Sequence, residues 1–196
     1  MIISPSIASA DPLNLEAAAA TVSAGPYTDL HVDIEDGNFI PNITFGLKTV
    51  RELRKKTRLP FSFHLMVTRP YRLAEQIADL GPSIVFGHVE ALDYPLDFIR
   101  FVRRLGVPCG LAFNPKTPVE PYLYALEAAD GALIMTSEPD GRGQQFLPAM
   151  LQKAEKLKTL ALPGGLWADG GITPDRFGQL EEAGVTHAVM GRAIFG

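Results

Sequence analysis

Several short stretches of this sequence carry side chains that could hold a metal or move a proton. Residues 30–37 read Leu-His-Val-Asp-Ile-Glu-Asp-Gly. Residues two apart on a strand share a face, so His31, Asp33 and Glu35 point one way and Leu30, Val32 and Ile34 the other. In the same manner Phe63-His64-Leu65-Met66 puts His64 and Met66 together, and Leu166-Trp167-Ala168-Asp169-Gly170-Gly171 ends an apolar run on a carboxylate. A His-x-Asp pair facing an interior is costly to bury without a ligand or hydrogen-bond partner. His31, Asp33, His64 and Asp169 together form a donor set for one borderline divalent ion, zinc first, with iron, manganese or cobalt as alternatives. Each residue alone has a plainer reading. A strand-end histidine is commonly a satisfied core residue, and an aspartate before Gly-Gly is commonly a turn residue. The metal reading therefore requires all four to converge.

A second group of residues suits an anion. Met135 is followed by Thr-Ser-Glu-Pro-Asp-Gly141-Arg142-Gly143-Gln, Asp169 by Gly170-Gly171, and the last apolar run by Gly191-Arg192. Glycine lets a ligand approach the backbone closely. Arg142 and Arg192 could present a fork of charged donors to a phosphate, or simply remain solvated loop cations. Met66 and Met135 would be either soft, water-excluding walls or core filling.

The elements that must carry these residues alternate along the chain. Near-continuous apolar runs begin near Ile2, Asp29, Phe61, Ser83, Val107, Ala132, Leu166 and His187, and read as strands buried on both faces of a parallel sheet. Between them lie helical stretches opened by Pro12, Pro70, Pro95, Pro118, Pro148 and Pro174 and closed by Gly25, Gly81, Gly106 and Gly184. The pattern is that of an α/β protein, a (β/α)₈ barrel, as one domain over residues 1–196. The doubly wound open sheet is disfavoured because Ile7-Ala8-Ser9-Ala10-Asp11 follows the first strand in place of a glycine-rich turn. In such a barrel the site lies at the C-terminal ends of the strands, where the residues above fall. The chain ends at Gly196 directly after the eighth strand, so the eighth helix is expected to be missing or cut short; either a partner covers the gap or the sequence is shortened there, and a homo-oligomer is the expectation.

Composition narrows the function classes. Hydrophobic residues make up 46%, enough for a large core, and the net charge of −4 offers no basic excess for nucleic acid. Cys109 is the only cysteine, so no intrachain disulfide forms, and a reducing compartment fits. There is no basic segment before the first apolar residues and no long apolar span. A cytoplasmic protein without nucleic-acid or membrane partners is the expectation.

A series of motifs runs through the chain in order: Pro5-Ser6-Ile7-Ala8-Ser9-Ala10-Asp11, Leu30-His31-Val32-Asp33, Asp36-Gly37, Phe39-Ile40-Pro41-Asn42 and Thr44-Phe45-Gly46. They continue with His64-Leu65-Met66-Val67, His88-Val89-Glu90-Ala91, Asn114-Pro115, Thr117-Pro118, Met135-Thr136, Asp169-Gly170-Gly171-Ile172 and Ala193-Ile194-Phe195. In these stretches the chain resembles the ribulose-phosphate 3-epimerase family. The resemblance implies a TIM barrel of the ribulose-phosphate-binding type. It implies a metal held by His31, Asp33, His64 and Asp169, with Ser6 near the substrate. It implies an isomerase of carbohydrate metabolism that binds a small sugar phosphate, in which Asp33 and Asp169 exchange protons with the substrate carbon. Inverting a carbon beside a ketone needs a base on one face and an acid on the other, and a metal can stabilise the enediolate between the two steps.

The sequence departs from the family at several places. Glu35 stands where methionine is usual, Asn38 where histidine is usual, Asp140-Gly141-Arg142-Gly143 where Gly-Phe-Gly-Gly is usual, and Arg192 where a small hydroxyl residue is usual. Glu35 could bond a substrate hydroxyl, join the metal, raise a neighbour's pKa or face solvent. These changes leave open a hexulose 6-phosphate in place of a pentulose. A decarboxylating or aldol lyase and a silent phosphosugar-binding protein are the other classes. The lysines fall mostly in helical stretches, which disfavours a lysine-dependent lyase.

Overall fold

The structure is a computed structural model and describes residues 1–140 and 143–196. Gly141 and Arg142, both expected near an anion, lie outside the described residues. The strands are β1 Ile2–Pro5, β2 Leu30–Glu35, β3 Phe61–Met66, β4 Ile84–His88, β5 Cys109–Phe113, β6 Gly131–Met135, β7 Leu166–Asp169 and β8 His187–Met190. They form one eight-stranded sheet in the order β1-β8-β7-β6-β5-β4-β3-β2, every pair parallel. Between β1 and β2 a single parallel bridge, Ser6 to His31, brings the sheet back on itself. The fold is thus a (β/α)₈ barrel, nearly closed.

Strand alternation divides the side chains into two layers. Leu30, Val32, Ile34, Phe63 and Leu65 belong to the outer core beneath the helices. Phe86, Leu133, Met135, Trp167 and Val189 form a smaller cluster inside the ring. Gly110 on β5 leaves room for the Phe86 ring; a Cβ there would lie 2.3 Å from it. Apolar burial inside the ring is concentrated on β4–β8, where a fully buried side chain such as Phe86 contributes roughly 1.5–3 kcal/mol, and most of the buried polar side chains lie on the β1–β3 side. That side holds Ser4, Ser6, His31, Asp33, Ser62 and His64, all buried.

The helices are α1 Leu15–Ala24, α2 Leu47–Arg54, α3 Pro70–Ile77, α4 Pro95–Arg104, α5 Leu123–Leu126, α6 Leu151–Leu157, α7 Phe177–Glu182 and α8 Arg192–Phe195. Pro70 and Pro95 begin their helices as expected. Pro148 and Pro174 instead begin 3₁₀ turns, Pro148–Met150 and Pro174–Arg176, that lead into α6 and α7. Asp11 makes a local turn, accepting the Leu13 N–H at 3.0 Å and the Asn14 amide at 2.6 Å, so α1 starts later than Asp11. The eighth helix is not missing but short. The Ile194 and Phe195 N–H groups bond the Gly191 carbonyl and Gly196 N–H bonds that of Arg192, giving a single turn too brief for a hydrophobic period to reveal. Ile194 and Phe195 pack on the outer core, so part of the expected bare face is covered by the chain itself. No helix among the described residues is long and apolar enough to cross a membrane.

Candidate active site

β2, β3 and β7 deliver His31, Asp33, His64 and Asp169 to one point. One nitrogen or oxygen from each lies within 4.8 Å of all the others, and all four residues are buried. His64 Nδ1 sits 3.1 Å from Asp33 Oδ1 and 3.1 Å from Asp169 Oδ2. His31 Nε2 lies 3.4 Å from Asp33 Oδ1. Asp33 Oδ2 accepts the Ser6 hydroxyl.

Hydrogen bonds behind the two imidazoles decide which nitrogens face this point. Ser4 Oγ and Ser62 Oγ both donate to Asp29, at 2.8 and 2.6 Å. With its proton on Asp29, Ser62 Oγ accepts from His31 Nδ1 at 2.9 Å. His31 Nε2 is therefore the inward atom, and it is buried without a hydrogen-bond partner. A divalent ion would answer that orphaned lone pair. On the other side His88 Nδ1 donates to Glu90 Oε2 at 3.0 Å, leaving its Nε2 to accept from His64 Nε2–H at 2.8 Å. His64 Nδ1 is thereby turned to the two aspartates. Two outward-anchored imidazoles and two carboxylates fit a divalent ion, as ligand histidines generally donate their second N–H outward.

The electrostatics match. Burial alone would raise the Asp33 carboxyl, but His31 and His64 outweigh it and hold Asp33 well below the usual carboxylate range. Burial alone would lower His64, but the bonds and charges of Asp169 and Asp33 raise it to about 9. Burial pushes His88 down to about 4, aided by the His64 charge and opposed by Glu90. Glu90, despite burial, is held at about 2 by His88 and by hydrogen bonds from Thr117 and the Asn114 N–H. His64 Nδ1 thus lies between the two aspartates, within hydrogen-bond distance of each.

The cluster opens into a cavity of about 800 Å³ at the C-terminal ends of the strands. Ser6, Glu35, Met66, Met135, Gly143, Gly170, Gly171, Gly191 and Arg192 all line it beside Asp33 and Asp169, while His31 and His64 stand behind. Gly170 and Gly171 have φ of +118° and +67°, and a Cβ on Gly170 would meet Ser137 Oγ at 2.2 Å. These glycines are thus required by the packing of the loop after β7 on the loop after β6, as well as leaving the cavity wall open. Arg192 differs from a free clamp. One of its terminal nitrogens bonds the carbonyls of Gly143 and Gln144, at 2.6 and 3.2 Å, and so ties two cavity loops together.

A model of the ribulose-phosphate 3 epimerase family matches residues 2–195. The chain is 40% identical over 199 residues to the ribulose-phosphate 3-epimerase of Mycobacterium bovis, covering 100% of this chain and 86% of that one. It is 34% identical to the Bacillus subtilis ribulose-phosphate 3-epimerase, covering 99% and 92%. The chain belongs to the ribulose-phosphate 3-epimerase family. As a member of that family it is an isomerase, and its cluster of two histidines and two aspartates supports metal-assisted epimerisation of a sugar phosphate. Solved structures outside the family share the fold. N-acetylmannosamine-6-phosphate 2-epimerase from Clostridium perfringens superposes with a TM-score of 0.69 at 14% identity, covering 98% of this chain and 87% of that one. Orotidine 5'-phosphate decarboxylase from Pyrococcus horikoshii gives 0.66 at 16% identity, covering 100% and 91%.

Within this epimerase-family site, sequence reasoning assigned no role to His88, Glu90, Asp29 or Ser62. The signal for His88 was present, since it shares the inward face of β4 with Ile84 and Phe86, and Glu90 follows two residues later. Asp29 and Ser62 stand two residues before His31 and His64 and so share their faces, but the pairing of Ser62 with His31 comes from strand register, which the period does not give.

Proposed function

We propose that this protein inverts C3 of a ketose phosphate of the ribulose 5-phosphate/xylulose 5-phosphate type, with Asp33 and Asp169 as the opposed proton-transfer groups. The observation that carries this reading is the approach of Asp33 and Asp169 from non-adjacent strands, β2 and β7, each 3.1 Å from the same nitrogen of His64. A substrate carbon between them would meet one carboxylate on each face. One removes the proton beside the ketone and the other delivers a proton to the opposite face; the return reaction exchanges their roles. The Ser6 hydroxyl donates to the second oxygen of Asp33 and fixes that carboxylate's orientation.

His31, Asp33, His64 and Asp169 would hold the divalent ion. Zinc suits two imidazoles and two carboxylates, with iron, manganese or cobalt as the alternatives. When bound, the ion supplies Lewis-acid stabilisation for the negative charge that develops on the substrate oxygens. Met66 and Met135 wall the cavity and exclude water. The backbone around Gly143, Gly170, Gly171 and Gly191, with Arg192, receives the phosphate. No lysine lines the cavity among the described residues, so a lysine-dependent lyase finds no base there.

The test is incubation with ribulose 5-phosphate, and separately with a ketohexose 6-phosphate, in D₂O. Deuterium entering C3 with inversion supports the epimerase and identifies the sugar length. Release of carbon dioxide, carbon–carbon cleavage, or binding without exchange overturns it.

A further inference from the structure

Glu35 is a third acid in the cavity and is not one of the four converging donors. It is the last residue of β2, on the same inward face as His31 and Asp33, and its Cα partner on β3 is Met66. Its side chain is held rather than loose. Glu35 Oε2 accepts from Asn42 Nδ2 at 2.6 Å. The Asn42 backbone is pinned in turn, its carbonyl accepting Gly37 N–H at 2.9 Å and its N–H donating to Ile40 O at 2.8 Å. Thr44 Oγ1 donates to the Asp33 carbonyl at 2.8 Å and accepts the Glu35 N–H at 3.3 Å. Glu35 Oε1 makes no hydrogen bond to a described residue. The rim therefore presents a fixed acceptor to the cavity.

The rim at the ends of β7 and β8 has the other polarity. There the loops after β7 and β8 carry Arg176 and Arg192 beside Gly170, Gly171 and Gly191. A linear ketose phosphate with its phosphate on that rim and its reacting carbon between Asp33 and Asp169 can extend its other end to the ends of β2 and β3, where Glu35 and Met66 line the cavity. Met66 accepts no strong hydrogen bond, whereas Glu35 does.

We propose that Glu35, held by Asn42, is a specificity-determining residue that accepts a hydrogen bond from the substrate's terminal hydroxyl, at the end remote from the phosphate. The inference rests on the epimerase reading above and adds to it the residue that would meet the substrate's hydroxyl end. A site built to bond a hydroxyl rejects the analogue that lacks it.

The test compares C3 proton exchange in D₂O for xylulose 5-phosphate and 1-deoxyxylulose 5-phosphate, using metal-loaded wild type, Glu35→Gln and Glu35→Met. Wild type is expected to favour the hydroxylated sugar in kcat/KM by about 10- to 100-fold. Glu35→Met should bring the two sugars to near parity. Glu35→Gln, isosteric and still an acceptor, should keep part of the preference. Metal content should be the same in all three proteins, because Glu35 is not a ligand. An equal preference in wild type and Glu35→Met overturns the assignment and leaves the epimerase reading standing. So does loss of metal from Glu35→Met, which would make Glu35 a ligand. Absence of exchange by wild type on both sugars and on a ketohexose 6-phosphate removes the epimerase reading and this inference together.

Discussion

His64 and His88 face each other through their Nε2 atoms at 2.8 Å, with rings stacked at 4.9 Å between centroids. One proton is shared along that line, and Glu90 on the far side of His88 decides that it resides on His64 Nε2. The tautomer of a metal ligand is thus set by a carboxylate that never approaches the metal.

Removing that acceptor should loosen the ion. His88→Leu is expected to weaken zinc affinity about 10- to 100-fold, and His88→Gln, which can still accept from His64, by less. Competition with a chelator, starting from metal-free protein, measures this. Equal affinity in wild type and His88→Leu would show that His64 needs no such orientation.

The proton on His64 makes metal loading depend on pH. Neutral His64 is the ligand form, so an ion must displace a proton below about pH 9. Apparent zinc affinity should rise with pH, by up to about tenfold per unit, and level off above that value. Calorimetry in buffers of different ionisation enthalpy counts the released proton. The same shift acts on the metal-free fold. Because the folded pKa is raised above the unfolded value, the stabilisation is fully present below about pH 6.5 and is lost as pH climbs through about 9. Urea unfolding in the presence of a chelator at pH 6, 7.5 and 9 should show that decline (pH values chosen about the two pKa values).

The two aspartates are expected to be individually essential. Asp33→Asn and Asp169→Asn should each lower turnover by about 10²-fold or more while leaving the circular dichroism of the barrel unchanged. Each also tests the metal site, so metal content is measured beside the rate. Near-normal turnover in either variant contradicts the two-carboxylate scheme.

Gly170→Ala should destabilise the protein by about 1–3 kcal/mol, because an L-residue is strained at φ +118° and its Cβ would meet Ser137 Oγ at 2.2 Å. Denaturant unfolding gives the number. A neutral result would mean that the loops after β6 and β7 can separate without cost.

Much of this molecule is written in local spacing. Alternation along β2 places His31, Asp33 and Glu35 on one face and Leu30, Val32 and Ile34 on the other, and the same alternation separates His64 from its apolar neighbours. Proline and glycine mark most helix ends, because each acts on the backbone of its own residue. The short α8 escapes such reading because one turn has no period to detect. Relationships across strands obey different rules. That His88 reaches His64, that Asp29 and Ser62 set the tautomer of His31, and that Arg192 ties down Gly143 and Gln144 all depend on register, strand tilt and the curvature of the ring. Those quantities come from the packing of all eight strands at once. Residue type and period are properties of chain neighbours, whereas the meeting of four strand ends at one point is a property of the assembled barrel.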